Sequence, residues 1–484
     1  MDVLLIDPNG RDSLGLMSIQ AFLKQHGFSS RILYAEPEDV ILGIIGVEAP
    51  LVIGFNCQTS IFVKCGEIAK AIKMEYDVPI LFGGIHPSLN PDIIGNDFVD
   101  ILCRGEGEQP LLELVNALKN GNPIHDIPNL WVKKDGVVHK NPPRPLLENL
   151  DELPFPDRSD YYLKYPAKKH QFVKIFMAGR GCPFNCSFCF NHVYRREFCH
   201  GQKYRRWHSV DYVIREIKNV REKYGLHACF FREDSLLYSR EWVMEFCSRY
   251  KEEIGMPFIC FSSVKEMDEE LVARLKDAGL VLALIGFETS NEELREKVLD
   301  KKFTNEEFIE KMGLLGKHGI RACLYVLHNI PGQTFEDTFS DMLFLSKVKP
   351  YLTFMGPLLY FPGLNITKYA EERNLIVELP ASKRSFPGEK AIPMDYRSYN
   401  AALMFQVGVR WPFLIPILRA LSRIPFSRLS NNPSTLLYKI NRYVINDYKM
   451  LLLYISLDWK GFTSSICYSL RYSLTACFKG IWRL

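Results

Sequence analysis

Short apolar runs alternate with helical patterns along the first 140 residues, and that alternation restricts the chain to an α/β fold built on a parallel sheet. The runs at 3–6, 30–33, 51–55, 80–82 and 101–103 have the length of buried strands. Between them, the stretches at 14–26, 61–74 and 109–118 carry apolar residues at helical spacing. Sheets of this kind bind ligands outside the carboxyl ends of their strands. Here those ends read Pro8-Asn9-Gly10, Cys57-Gln58-Thr59-Ser60, Gly83-Gly84-Ile85-His86-Pro87-Ser88 and Arg104-Gly105-Glu106-Gly107-Glu108. Paired glycines allow backbone approach to a large flat ligand and small hydroxyls can bond its amides, so Gln58, Thr59, Gly83 and Gly84 are candidate contacts. The alternative is that the glycines only make the turn.

With 484 residues the chain is too long for one ordinary core and should divide into two to four domains. Residues 1–140 form the first, Rossmann-like domain. Residues 141–172, with Asn141-Pro142-Pro143-Arg144-Pro145 and Leu153-Pro154-Phe155-Pro156-Asp157, are too rich in proline for a helix or central strand and read as a linker. From Val173 the alternation resumes on a longer repeat, with strands expected near 173–178, 228–232, 257–262, 281–286, 321–328 and 352–360. Ser209 is placed to cap the helix that follows it, whose apolar face is Val210, Val213, Ile214, Ile217 and Val220. Six such units over 173–370 suit a partial (βα)6 barrel of TIM type, in which the strand carboxyl ends carry the chemistry. Residues 371–484 read as short helices broken by proline.

The most specific motif lies just after the first barrel strand: Cys182, Cys186 and Cys189, in a Cys-x3-Cys-x2-Cys loop with Phe188 before the third thiol. It supplies three ligands. A structural zinc ion needs four, and an ordinary cubane uses four thiolates, so three leave one iron open to an exchangeable ligand. Zinc and a redox-sensing thiol group are the alternatives. Cys199, ten residues on, reads as a small core hydrophobe. The remaining cysteines of the thirteen are scattered singly, as a reducing compartment permits.

The loop resembles that of the radical SAM superfamily, and the segments beginning Ser13-Leu14-Gly15, Gly83-Gly84-Ile85-His86 and Arg104-Gly105-Glu106-Gly107-Glu108 resemble the cobalamin-binding domain of its cobalamin-dependent members. The resemblance covers about three quarters of the chain. It implies an N-terminal Rossmann-like cobalamin-binding domain, a radical SAM barrel, a [4Fe-4S] cluster on Cys182, Cys186 and Cys189, and S-adenosylmethionine on the open iron. Phe188 would place its main chain against the adenine, or else plug the space under the cluster. Glu233 and Asp234 resemble the family's acidic pair beside the adenosylmethionine, and Glu288, in Gly286-Phe287-Glu288-Thr289-Ser290, a further polar contact. The alternative for all three is a solvated loop or capping carboxylate. His328-Asn329-Ile330-Pro331-Gly332-Gln333-Thr334 is similar to another family turn, with two polar substitutions. No Asp-x-His-x-x-Gly triplet occurs, so the resemblance implies cobalamin bound without a histidine on cobalt, and His86 is expected to cap or pack.

The function so implied is methylation of an unactivated carbon of a large apolar substrate, through a 5′-deoxyadenosyl radical and methylcobalamin. Alternatives are non-methylating radical chemistry (cyclisation, oxidation or carbon–carbon coupling) and a cobalamin- or redox-sensing binding protein. A flavodoxin- or ferredoxin-like reductant is the expected partner. The net charge of +4 gives no case for nucleic acid. The opening Met-Asp-Val-Leu-Leu-Ile has no basic n-region or cleavage site and no run of eighteen uncharged apolar residues occurs, so a cytoplasmic location is expected. After residue 400, Lys and Arg outnumber Asp and Glu eleven to two among many apolar and aromatic residues. That composition fits peripheral contact with an anionic membrane and equally a helical lid on the barrel mouth.

Overall fold

A computed structural model describes residues 1–379, 390–393 and 396–423. The C-terminal expectations for 380–389, 394–395 and 424–484 lie outside the described residues. The chain divides into two compact units that do not follow chain order. One contains 1–166, 179–208 and 359–391; the other contains 167–178, 209–358 and the residues from 392 onward.

The first unit is built on a seven-stranded sheet of β1 (Val3–Asp7), β2 (Ser30–Tyr34), β3 (Val52–Asn56), β4 (Ile80–Gly83), β5 (Ile101–Cys103), β6 (Leu130–Lys134) and β7 (Val137–Lys140). Its order is β2-β1-β3-β4-β5-β6-β7, parallel through β5 and antiparallel beyond. The order 2-1-3-4-5 is that of flavodoxin-like sheets, whose ligand site lies where the winding reverses between β1 and β3. Helices Leu14–Gln25, Phe62–Glu75 and Glu108–Lys119 fall where the periodicity predicts them. One further helix, Glu38–Glu48, is not legible because Val40, Ile41, Ile44, Ile45 and Val47 are β-branched and two glycines weaken its helix propensity. The β6–β7 hairpin was also missed, although Asp135-Gly136 is its signal: both residues have positive φ (51° and 78°), as a tight type I′ turn requires. The sheet core includes Leu4, Ile6, Ile53, Phe55, Ile80 and Phe82, all essentially without solvent contact.

Chain order continues with β8 (Val173–Phe176), β9 (Gly179–Arg180) and β10 (Arg206–Trp207); β9 and β10 form a short antiparallel pair in the first unit. The second unit joins β8 to β11 (Ala228–Phe231), β12 (Phe258–Ser262), β13 (Leu280–Glu288), β14 (Arg321–His328) and β15 (Leu352–Pro357). All six pair in parallel, each with its successor in this series, and β8 and β15 are the two edges, so the sheet is an open (βα)6 arrangement. Ser209 caps helix Val210–Tyr224 by accepting from the Tyr212 N–H at 3.1 Å, and the predicted apolar face is buried. Alternation along the strands sorts the side chains. Phe231 meets Phe246 and Tyr250 of helix Arg240–Glu253 edge to face. Phe230 therefore points to the opposite face, where it clusters with Phe261, Leu282, Leu284, Tyr325 and Phe354. Helices Tyr396–Arg410 and Ile415–Ser422 give the described C-terminal region its helical character. Among the described residues no helix is long and apolar enough to cross a membrane.

Candidate functional site

Cys182, Cys186 and Cys189 lie in the loop between β9 and helix Phe190–Phe198, in the first unit, with Phe188 half-buried beside them. All three thiols are partly exposed, whereas the eight other described cysteines are buried. That contrast fits a group bound from outside the hydrophobic core. Among the described residues no group of three or more His, Cys, Asp or Glu side chains is arranged around a single metal position; a cubane asks instead that each thiolate bind a separate iron. Bonds to backbone carbonyls shape the loop. Cys189 donates its N–H to the Cys186 carbonyl at 3.1 Å, and Arg195 donates to the Pro183 carbonyl at 3.0 Å. Gly181 has φ +89°, and a Cβ there would meet the Tyr204 carbonyl at 2.5 Å, so only glycine fits. Cys199 is buried, and its Sγ lies 2.5 Å from the Gln202 carbonyl in a cluster with Leu146, Phe198 and Tyr204.

Two partners of the loop escaped sequence reading. His192 spans from the Cys186 carbonyl, 3.1 Å from Nδ1, to the Asn365 N–H, 3.3 Å from Nε2. The N–H can only donate, so Nε2 accepts and Nδ1 carries the proton: a neutral imidazole, in keeping with burial that pulls its pKa down. The Ile366 N–H donates to the Ser187 carbonyl at 3.0 Å. Asn191, almost fully buried, places Nδ2 3.5 Å from the Cys189 sulfur and takes the Tyr204 hydroxyl on Oδ1 at 2.6 Å. Asn191 and His192 directly follow the motif, which is the one signal that could have raised them.

The loop's stem is held by charge. Arg180 lies 2.5 Å from Glu108 and 3.2 Å from Glu106, and Arg206 lies 2.6 Å from Glu106. The Ser18 hydroxyl donates to Glu108 at 3.0 Å. Burial alone would push the Glu106 carboxyl up, but Arg180 and Arg206 outweigh it and hold it at about 2. The turn after β5, which the sequence places among ligand-facing ends, thus spends both glutamates on the arginines flanking the cluster loop.

At the other strand ends of this unit, Gln58 is exposed and Thr59 buried, its hydroxyl 3.2 Å from His86 Nδ1. His86 is buried against the Phe62 ring, 4.6 Å between centroids, and burial lowers its pKa to about 4. It packs, as expected. Gly83 and Gly84 are half-buried. Gly84 has φ +98°, and a Cβ there would lie 2.9 Å from Asn56 Oδ1 and 3.1 Å from the Cys57 carbonyl, so the turn itself requires glycine.

The acidic candidates belong to the second unit. Glu233 is buried and accepts the Ala178 N–H at 3.3 Å, across the ends of β8 and β11; Asp234 next to it is exposed. Glu288 is buried, pairs with Lys301 at 2.8 Å, and has φ +70°, a strained conformation for a glutamate. Its neighbours hold it. Buried Asp341 takes the Ser290 N–H at 2.5 Å, the Ser290 hydroxyl at 2.6 Å and the Thr289 hydroxyl at 3.1 Å. Wholly buried Arg295, in a π-helical turn, donates to the Thr289 carbonyl at 2.5 Å and the Phe303 carbonyl at 2.7 Å. Neither Glu233 nor Glu288 is a solvated loop carboxylate. In the turn after β14, Gln333 accepts the Ile330 N–H at 3.1 Å and Thr334 caps the next helix.

Comparison with known proteins agrees with this reading. Residues 177–345 match the radical SAM superfamily and residues 12–115 the B12 binding domain. An uncharacterized methyltransferase of Pyrococcus horikoshii is 28% identical over 76% of this chain and 80% of its own length. The anaerobic magnesium-protoporphyrin IX monomethyl ester cyclase of Rubrivivax gelatinosus is 26% identical over 70% of this chain and 65% of its own length. In fold, the chain is similar to the radical S-adenosylmethionine methyltransferase TsrM of Kitasatospora setae, solved with cobalamin and a [4Fe-4S] cluster. The TM-score is 0.70 at 15% identity, covering 94% of this chain and all of that one. Residues 177–345 therefore form a radical SAM domain and residues 12–115 a B12-binding domain, and the cofactors that go with these two domains are a [4Fe-4S] cluster, S-adenosylmethionine and cobalamin.

Proposed function

We propose that this protein methylates an unactivated carbon of a large, flat, apolar substrate. The observation that carries the reading is the union of a B12-binding domain with a radical SAM domain in one chain whose relatives include a named methyltransferase. When bound, the cofactors supply a hydrogen-abstracting radical and a transferable methyl group. The balance is two adenosylmethionines and two electrons per methylation. Substrate C–H becomes C–CH3, one adenosylmethionine leaves as S-adenosylhomocysteine, and the other as methionine and 5′-deoxyadenosine carrying the abstracted hydrogen. A flavodoxin- or ferredoxin-like protein is the proposed electron donor.

The chain's own residues have distinct tasks in this account. Cys182, Cys186 and Cys189 would hold the cluster, and Phe188 would lend its main chain to the adenine or plug the space under the cluster. Glu233, Asp234 and Glu288 would supply polar contacts to adenosylmethionine. Gln58, Thr59, Gly83 and Gly84 receive the cobalamin. The substrate class rests on the face of the second unit's sheet opposite helix Arg240–Glu253. There Phe230 and Phe261 lie 5.8 Å apart, Phe261 and Tyr325 6.0 Å, and Tyr325 and Phe354 5.6 Å, a row of half-buried rings on which a flat apolar molecule can stack. Trp411, Phe413 and Ile417, exposed near Arg410 and Arg423, support peripheral contact with an anionic bilayer, which liposome flotation tests.

Methyl transfer can be tested before the substrate is known. The reconstituted, reduced protein is incubated anaerobically with methyl-deuterated adenosylmethionine. About one S-adenosylhomocysteine per bound cobalamin, with the label retained on the protein-bound corrinoid, is expected. 5′-Deoxyadenosine without any S-adenosylhomocysteine would overturn methylation in favour of cyclisation, oxidation or coupling. Neither product would indicate a sensor.

A further inference from the structure

We infer that Asn191 tunes the reduction potential of the cluster by hydrogen-bonding the Cys189 sulfur, with Tyr204 fixing the direction of its amide. The inference rests on Cys189 being a cluster ligand.

The amide nitrogen of Asn191 lies 3.5 Å from Cys189 Sγ, within hydrogen-bond range for sulfur. An asparagine can turn either end toward a neighbour, so the assignment must come from the partners. A thiolate on iron can only accept; the carbonyl end facing it would set two electron-rich atoms together. On the other side, the Tyr204 hydroxyl is 2.6 Å from Oδ1 and donates to it. Both contacts call for the same orientation. Asn191 and Tyr204 are both buried, so water competes weakly for either bond. Tyr204 is itself held in the cluster of Leu146, Phe198, Cys199 and Tyr194.

A hydrogen bond to a cluster sulfur withdraws electron density from it, and the effect is larger when the cluster carries its additional electron. Such bonds therefore favour the reduced state and raise the potential. For a cluster that must be reduced before it can pass an electron on, Asn191 makes loading easier at the expense of driving force. This is a positioning and tuning role. The amide has no need to touch substrate or adenosylmethionine.

The test is a potentiometric titration, followed by electron paramagnetic resonance, of the full-length reconstituted protein without adenosylmethionine. Asn191→Leu keeps the volume and removes the donor; Tyr204→Phe keeps the ring and releases the amide. Asn191→Leu should hold as much iron as the wild type with a lower midpoint potential, and Tyr204→Phe should shift the same way by less. A full complement of iron with an unchanged or raised potential in Asn191→Leu overturns the inference. If Asn191→Leu fails to hold iron, Tyr204→Phe decides: a lowered potential supports the inference and an unchanged one overturns it. A wild type with no [4Fe-4S] signal at all would instead remove the cluster assignment, and the inference with it.

Discussion

Replacing Glu106 by Gln should loosen the stem of the cluster loop by a calculable amount. Glu106 has only 19% of its side chain exposed and lies between Arg180 and Arg206, which pull its carboxyl from an ordinary 4.5 down to about 2. Gln resembles the protonated acid, so the substitution forfeits the preference for the ionised form, about 1.4 kcal/mol per pKa unit or about 3 kcal/mol in all. The figure agrees with the lower end of the roughly 3–5 kcal/mol lost when one member of a buried pair is removed. The lower end is appropriate because Arg180 keeps Glu108 and Arg206 keeps the Leu147 carbonyl at 2.6 Å. Hydrogen–deuterium exchange with mass spectrometry reads the loss locally. At neutral pH, peptides spanning 179–182 and 204–208 should exchange about a hundredfold faster in Glu106→Gln, since about 1.4 kcal/mol is tenfold. Glu113→Gln, which breaks the half-exposed pair with Arg144, is the control and should cost under about 1 kcal/mol. In the wild type the same stabilisation is complete above about pH 4.5 and is lost as the pH falls toward 2, because the folded pKa is the depressed one. Exchange within threefold of wild type at both segments would refute the argument that this network holds the loop.

Other predictions test separate parts of the site. Alanine at Cys182, Cys186 or Cys189 should abolish iron incorporation, whereas Cys199→Ala, in the core beside Gln202, should retain iron; elemental analysis decides. His86→Ala should lower the melting temperature and leave the cob(II) paramagnetic spectrum free of any change in nitrogen splitting, because the ring packs on Phe62. Burial raises Asp341 from 3.8 to about 7, more than its bonds to Ser290 and Thr289 lower it. Between those values the folded chain binds the proton more tightly than the unfolded chain, so stability falls as pH rises through that window, and Asp341→Asn should flatten the profile in thermal melts from pH 5 to 8.

Much of this architecture was legible because it is local. Strand ends such as Ile101–Cys103 and Arg321–His328, the Ser209 cap and the three-cysteine loop follow from composition and spacing within a few residues. What failed was long-range or conformational. Nothing near Glu106 announces Arg180 or Arg206, which lie 74 and 100 positions away in sequence. The left-handed backbone of Glu288 is imposed by Asp341 and Arg295 from other turns of the fold. Helix Glu38–Glu48 fails for a different reason: its β-branched residues favour a strand locally and its two glycines disfavour a helix, and tertiary packing overrides them.

The central claim is that three thiolates hold a four-iron cluster with one iron left open. Anaerobic reconstitution followed by electron paramagnetic resonance, with and without S-adenosylmethionine, tests it most directly. The account predicts about four irons per chain, a reduced [4Fe-4S] signal, and a change of its g-values when adenosylmethionine is added. A signal indifferent to adenosylmethionine, or a single zinc ion in place of the iron, would contradict it.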